Sequence, residues 1–483
     1  MYSRRFLLAG LLATTATAAG ATAPTKSARP VARSDDFARK VDPTAKDIVG
    51  QAGLSGVTGF AVADATSGVS IEQFQADEAL PPASVAKMLT ALYGLDRLGA
   101  GFRFNTRLVS DGVIEDGTLR GDLWLVGGGD PTLNTDDLGR MVADLHSSGV
   151  RRIDGSFYVQ NSALPAIPFI DRDQPDYLGY NPTIGAVNLN FNRVHFEWRR
   201  GADGYRTTMD ARAKRHAPAV EMATMRIVSR DFPVYGYALE KGRDAWTVSR
   251  SALGGGGARW LPVRQPALYA ADVFGQLARA KGISLPAGQV TDRPAKGRVL
   301  VQHASVPLFE MCRDMLKFST NLTAEVIGLQ ASGAKTLRSS AAAMNEWAKE
   351  RFGVDAQLVD HSGLGDRSRI SASDLVQILV AAANGPIGLL MKPIKLRDAN
   401  GKVVDGQGIE VTAKTGTLNF VSTLAGYVTT PKGTKQAFAI VSADLGARGK
   451  IKKSDRERPR GASGWNRRAK SMQQRLLHRW GRA

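Results

Sequence analysis

The spacing at which apolar residues recur changes twice along this chain, and that limits the folds it can adopt. Val85, Met88, Leu89, Leu92, Leu95 and Leu98 recur at i, i+3, i+4, i+7, i+10 and i+13, the period of one helix face. Pro81-Pro82 precedes that stretch and Gly99 closes it, as a helix start and a C-cap do. Before it, Val57 to Asp64 and Val69 to Ile71 flank Gly68 and predict two strands and a turn. From about 101 to 262 short alternating segments dominate, among them Gly121-Asp-Leu-Trp-Leu-Val126 and Val194-His-Phe-Glu-Trp198, and glycine turns separate them. After 265 the helical period returns at Tyr269 to Ala280, Leu308 to Met315, Thr323 to Leu329 and Ala342 to Arg351. Lys414 to Tyr427 and Gln436 to Val441 then read as antiparallel strands beside a Pro431-Lys-Gly-Thr434 turn. This order implies an α+β domain, residues 36–100 and 263–445, interrupted by a mainly β insertion at 101–262. A more polar stretch near 195–250 is a candidate nested module. Gly254-Gly-Gly-Gly257 reads as a loop.

The N-terminus reads as an export signal. Arg4-Arg5 precede the apolar run Phe6 to Leu12, and an Ala/Thr-rich stretch with an Ala16-Thr17-Ala18 cleavage pattern follows. Ser3-Arg4-Arg5-Phe6-Leu7-Leu8 has twin-arginine character. Residues 1–23 are therefore expected to direct the chain to the bacterial periplasm, with 24–35 as linker. The single cysteine, Cys312, makes no internal disulfide and falls on an apolar helical stripe. A core position is expected for it.

The net charge of +19 is concentrated at the C-terminus, where 446–483 carry 13 Lys/Arg against Asp455 and Glu457. Within this tail Trp465, Ala469, Met472, Leu476 and Trp480 recur at spacings of four, three, four and four. The pattern suits a basic amphipathic helix resting on an anionic membrane, with a disordered, solvated basic tail as the alternative. Export makes nucleic acid a poor partner despite the charge.

Three short motifs stand in one order: Ser84-Val-Ala-Lys87, Ser319-Thr-Asn321 and Lys414-Thr-Gly416. A serine hydroxyl needs an adjacent base to act as a nucleophile. Ser84 and Lys87 lie three apart at a helix start and share a face. A buried lysine near another cation gives up its proton readily, so Lys87 is the candidate base and Lys414 the candidate second cation. The helix N-terminus favours negative charge developing at the serine. Ser319 offers a relay hydroxyl and Asn321 an amide for a substrate carbonyl. Gly416 lets a ligand approach the strand backbone, along which an extended peptide can pair. A second S-x-x-K, Ser332-Gly-Ala-Lys335, lacks a following apolar helix and reads as a loop. No G-x-S-x-G elbow occurs, and none of the six histidines forms an H-E-x-x-H pair, so neither a histidine-assisted serine hydrolase nor a zinc peptidase is indicated. No cofactor or metal is implied.

Together the motifs resemble those of the penicillin-recognising serine acyl-enzymes. The 235 positions between Ser84 and Ser319 narrow the resemblance to the D-alanyl-D-alanine carboxypeptidase/endopeptidases of the class C, type-4 penicillin-binding protein family. Gly121 to Leu133, Gly185 to Asn192, Ser319 to Glu325 and Asp360 to Leu364 also resemble that family. The resemblance implies Ser84 as acylated nucleophile, Lys87 as its base, and Ser319 with Lys414 as proton relay to the leaving D-alanine. It implies that Asn321 positions substrate, that Thr415 and Thr417 line the side that takes the substrate carboxylate, with Gly416 between them, and that the N–H groups of Ser84 and Thr417 form an oxyanion hole. Peptidoglycan stem peptides would be the substrate and β-lactams the inhibitors. A β-lactamase, or a catalytically silent wall-binding scaffold, would share the fold. Two stretches depart from the family pattern: an acidic D-x-S-x-F becomes Gln160-Asn-Ser-Ala-Leu164, and S-G-L-S-R becomes Ser362-Gly-Leu-Gly-Asp366 followed by Arg367.

Overall fold

The computed structural model describes residues 43–398, 400–405 and 407–482. The export signal and the linker expected at 1–23 and 24–35 lie outside the described residues.

The catalytic unit is assembled from the two ends of the described chain. Its sheet has six strands: β1 (Val57–Asp64), β2 (Ser70–Phe74), β3 (Lys392–Pro393), β4 (Glu410–Leu418), β5 (Val421–Thr429) and β6 (Lys435–Ala443), in the spatial order β3-β4-β5-β6-β1-β2. The first long strand pairs with the last, Val57 opposite Ala443 and Asp64 opposite Gln436. The stretch from Lys414 to Tyr427 is two strands, broken at Asn419-Phe420, where Phe420 takes a positive φ of 57°.

Helices cover both faces. On one lie α2 (Ala86–Leu98), α3 (Leu308–Phe318), α4 (Asn321–Ser332), α5 (Leu337–Phe352) and α6 (Ala372–Ala381), which share a core with the inward side chains of β1, β5 and β6. Cys312 belongs to that core, and burial pushes its thiol up to about 12. The Ser332-Gly-Ala-Lys335 stretch is the end of α4, with Gly333 as its left-handed C-cap. On the other face lie α1 (Ala45–Gln51) and α7 (Ala462–Arg482).

The excursion between α2 and α3 has its own core. Its five-stranded sheet contains Asn105–Ser110, Leu123–Val126, Phe157–Gln160, Gly288–Thr291 and Arg298–Ala304, and two three-stranded sheets follow from 193 to 262. The helix at Pro266–Ala280 packs in this core, and strand Arg298–Ala304 pairs with Asn105–Ser110. The excursion therefore runs to about 305, beyond the 262 expected. An amphipathic helix advertises an apolar stripe but not the sheet that covers it. Gly256 and Gly257 begin a strand paired to Arg199 and Trp198, so the glycine run is only half loop.

The expected membrane-facing tail needs correction. The helix forms, but its apolar stripe is already covered. Trp465, Ala469, Met472, Leu476 and Trp480 are all buried against the protein, Trp480 at 1% exposure. Its ring packs on Phe60 and Phe438 at 5.6 and 5.8 Å, and its N–H donates to Glu72. Trp465 donates to the Ser55 carbonyl. This face belongs to the catalytic sheet, and among the described residues no helix is long and apolar enough to cross a membrane. Emptying such a site leaves a large cavity. Trp480→Ala should lower unfolding free energy by about 3–5 kcal/mol, read as a fall in the denaturant midpoint at unchanged slope.

Candidate active site

All three motifs meet at one end of α2. Ser84 sits in the single 3₁₀ turn Ala83–Val85 that leads into this helix, so Ser84 lies at its N-terminal, electropositive end. Lys87, in the first turn, lies directly below. Its Nζ is fully buried with three oxygen partners: Ser84 Oγ at 2.9 Å, Asn321 Oδ1 at 2.8 Å and the Ser362 carbonyl at 2.8 Å. Two of these partners only accept hydrogen bonds. They hold two N–H bonds of the amine, so its third position, proton or lone pair, faces the serine hydroxyl.

Ser319 is the left-handed C-cap of α3, with φ 60°, a conformation unusual for a non-glycine residue. That turn aims its hydroxyl at Lys414, whose Nζ donates to Ser319 Oγ at 3.0 Å and to the Thr415 carbonyl at 2.8 Å. Asn321 starts α4. Its amide accepts from Lys87 and donates to the Tyr180 carbonyl of the insertion at 2.9 Å. Thr320, not Ser319 or Asn321, is the helix N-cap, and its side chain makes no capping bond. Those two side chains are thus free for the site.

Two carboxyls that act on Lys87 lie outside the three short motifs, in the stretches Ser319 to Glu325 and Asp360 to Leu364. Glu325 accepts the backbone N–H groups of His361 and Ser362 at 3.0 and 2.9 Å. Asp360 accepts those of Gly363 and Gly365 at 2.7 and 2.6 Å. They therefore fix the loop whose Ser362 carbonyl holds the lysine. A charged residue in α4, among buried Leu322, Ala324, Val326, Ile327 and Leu329, is the sequence signal for Glu325. Burial pushes both carboxyls up, and for Glu325 the Asp360 charge adds to it.

Burial also pushes Lys87 down to about 8, with Glu325 and Asp360 pulling the other way. Lys414 falls further, to about 6, through burial first and then repulsion from Lys87 and Lys392. Desolvation thus lowers Lys87, and the cation–cation repulsion falls on Lys414.

Ser84, Ser319, Asn321 and Thr417 open into a cleft of about 290 Å³. Gln174 and Tyr180 of the insertion and Arg448, Arg456 and Glu457 of the C-terminal segment line it as well. Thr415 and Gly416 line a neighbouring cavity instead. Gln160 and Asn161 are absent from the cleft lining. Gln160 accepts from the Ala295 N–H and Asn161 from the Ala186 N–H, so both brace loops of the insertion. Asp366 binds Arg448, and Arg456 at 3.0 Å, while Arg367 is exposed.

Fold and site define an α+β enzyme of the penicillin-binding protein class. The model of the D-Ala-D-Ala carboxypeptidase 3 (S13) family matches residues 44–459. The D-alanyl-D-alanine carboxypeptidase of Actinomadura sp. (strain R39) is 27% identical over 453 residues, 85% of this chain and 81% of that protein. The D-alanyl-D-alanine carboxypeptidase DacB of Haemophilus influenzae is 25% identical over 417 residues, 79% of this chain and 84% of that one. The crystal structure of penicillin binding protein 4 (dacB) from Haemophilus influenzae shares the fold with a TM-score of 0.71 at 20% identity, covering 91% of this chain and 100% of that one. The chain belongs to the D-Ala-D-Ala carboxypeptidase 3 (S13) family and is a carboxypeptidase of the hydrolase class.

The turn that carries Ser84 is held from behind by Gly363. A Cβ there would lie 1.8 Å from the Ala83 carbonyl oxygen, and the residue has φ +74°. Gly363→Ala should therefore displace Ser84 and lower kcat/KM about 100-fold, measured by steady-state hydrolysis alongside a melting curve.

Proposed function

We propose that the chain is a periplasmic serine D,D-peptidase that removes D-alanine from peptidoglycan stem peptides, or cuts their D,D-crosslinks, through an acyl-Ser84 intermediate. The observation that carries this reading is the Lys87 amine, dry and aimed at Ser84 Oγ at 2.9 Å. As neutral amine, Lys87 takes the serine proton while Oγ attacks the D-alanyl carbonyl. The Ser84 and Thr417 N–H groups receive the oxyanion, where preorganised donors act strongly. The proton taken by Lys87 passes through the Ser319–Lys414 pair to the leaving amine, and the peptide C–N bond breaks. Water then attacks the ester, releasing the shortened peptide and restoring Ser84. A β-lactam carbonyl would follow the same first step and leave a stable ester. The twin-arginine-like N-terminus supports export.

Labelling with a fluorescent penicillin tests the mechanism. The wild-type chain should form a covalent adduct and Ser84→Ala none; an unlabelled wild type would sink the reading. The pH dependence has a definite sign. The base works without its proton, and its neutral fraction grows above its pKa, so the acylation rate should climb with pH and level off above about 8. Lys87→Gln should remove both the rate and this pH step in stopped-flow acylation.

A further inference from the structure

A groove of about 880 Å³ adjoins the catalytic cleft and shares Ile451 and Glu457 with it. The insertion contributes Tyr177 and Phe232 to this groove, the turn after β4 contributes Phe420, and residues between 444 and 460 form the rest. Two ion pairs hold the insertion to that last segment: Arg259 with Glu457 at 2.9 Å and Lys453 with Asp176 at 3.1 Å.

The direction in which a substrate enters follows from the proton relay, and so rests on the mechanism proposed above. The leaving nitrogen must face Ser319 and Lys414, at the beginning of the motif strand. The acyl part then runs the other way, past Thr417 to Leu418 and Asn419 of the cleft. Phe420 is the next residue, and it belongs to the groove. An extended chain advances about 3.3 Å per residue, as a strand does. The groove therefore takes the part of the acyl chain about two or three residues before the scissile bond.

The charges of the groove are unequally engaged. Each of its three acids has a partner: Asp444 accepts the Ala447 N–H at 2.8 Å, Asp455 accepts the Ser454 hydroxyl at 3.0 Å, and Glu457 pairs with Arg259. Lys450, Arg458 and Arg460 are its cations. The Ala447 N–H, and more weakly the Lys450 charge, hold Asp444 below the ordinary carboxylate range, so Lys450 faces an ionised acid. Arg458 and Arg460 are left: among the described residues neither side chain has a hydrogen bond or an ion pair. Apolar surface completes the lining, with Phe232 63% exposed and Val234, Ile451 and Pro459 beside the same space.

We propose that this groove binds the remote end of the acyl chain, and that Arg458 and Arg460 pair with a carboxylate carried there. The substrate class is then a D-Ala-D-Ala peptide with an acidic residue about two or three positions before the scissile bond. A shorter acyl-D-Ala-D-Ala compound fills the cleft alone. The segment from Lys450 to Arg460 thus selects for the length and charge of the acyl chain, at a distance from the bond that is cut.

The test uses the full chain and three substrates: D-Ala-D-Ala carrying a single acyl residue, a pentapeptide with the same end and an acidic second residue, and that pentapeptide with the acid amidated. Wild type should favour the acidic pentapeptide over its amide by about 10-fold in kcat/KM, mainly through KM, as one charge-assisted hydrogen bond does. Arg458→Gln/Arg460→Gln should erase that preference and leave hydrolysis of the short substrate and the penicillin acylation rate as they were. Lys452→Gln, exposed and outside the lining, should keep the preference. A wild type indifferent to the amidation, a double variant that keeps the preference, or one that loses activity equally on all three substrates would overturn the proposal while leaving the acyl-enzyme mechanism standing. Absence of both hydrolysis and penicillin adduct in the wild type would instead remove the mechanism, and this assignment with it.

Discussion

The site depends on keeping one amine dry and pointed at one hydroxyl. Lys87 has no exposure, and its three partners come from three separate parts of the chain: the turn that leads into its own helix, the start of α4, and the loop at Ser362. Burying an ammonium without partners would be prohibitive. Here two neutral carbonyl oxygens hold the group in place, while buried Glu325 and Asp360 limit how far its pKa falls. The same two carboxyls spend their hydrogen-bonding capacity on loop N–H groups. One polar cluster therefore aims the Lys87 amine and sets its proton affinity.

Around that cluster the catalytic sheet works as a divider. Lys414 points to the helical side and meets Ser319, while Thr415 lines a cavity beneath the C-terminal helix. Residues 446–483, which read in isolation as a charged appendage, help build both cavities. Arg448 and Arg456 close the cleft through Asp366, and Glu457 reaches Arg259 of the insertion at 2.9 Å. Lys453 reaches Asp176 at 3.1 Å. These contacts, with Asn321 bound to Tyr180, tie the insertion to the walls of the cleft.

Much of this was legible in the sequence, for reasons that differ by residue. Ser84, Lys87, Ser319, Asn321 and Lys414 announce themselves because each motif is local, and the structure brings all five side chains together. The α7 stripe and the core position of Cys312 follow from helical periodicity alone. Periodicity fails where a partner must be named. It gave α7 a buried face but not the sheet behind it, and it gave the helix at Pro266–Ala280 no allegiance to either core. Glu325 and Asp360 are 35 positions apart and meet only through the fold. Gln160 and Asn161 stand where the family pattern offers an acid, yet their hydrogen bonds are spent inside the insertion.

The pairing of β1 with β6 has a bearing on how the protein comes into being. The strand that precedes Ser84 needs a neighbour 372 to 386 positions downstream, and the opposite face of that sheet is covered by α1 and α7. β1 takes its partner from β6, the site takes Lys414 from β4, and Trp480 of α7 covers Phe60 and Phe438. Ser84 therefore acquires the sheet beside it and the Lys414 cation only through contacts of long sequence separation.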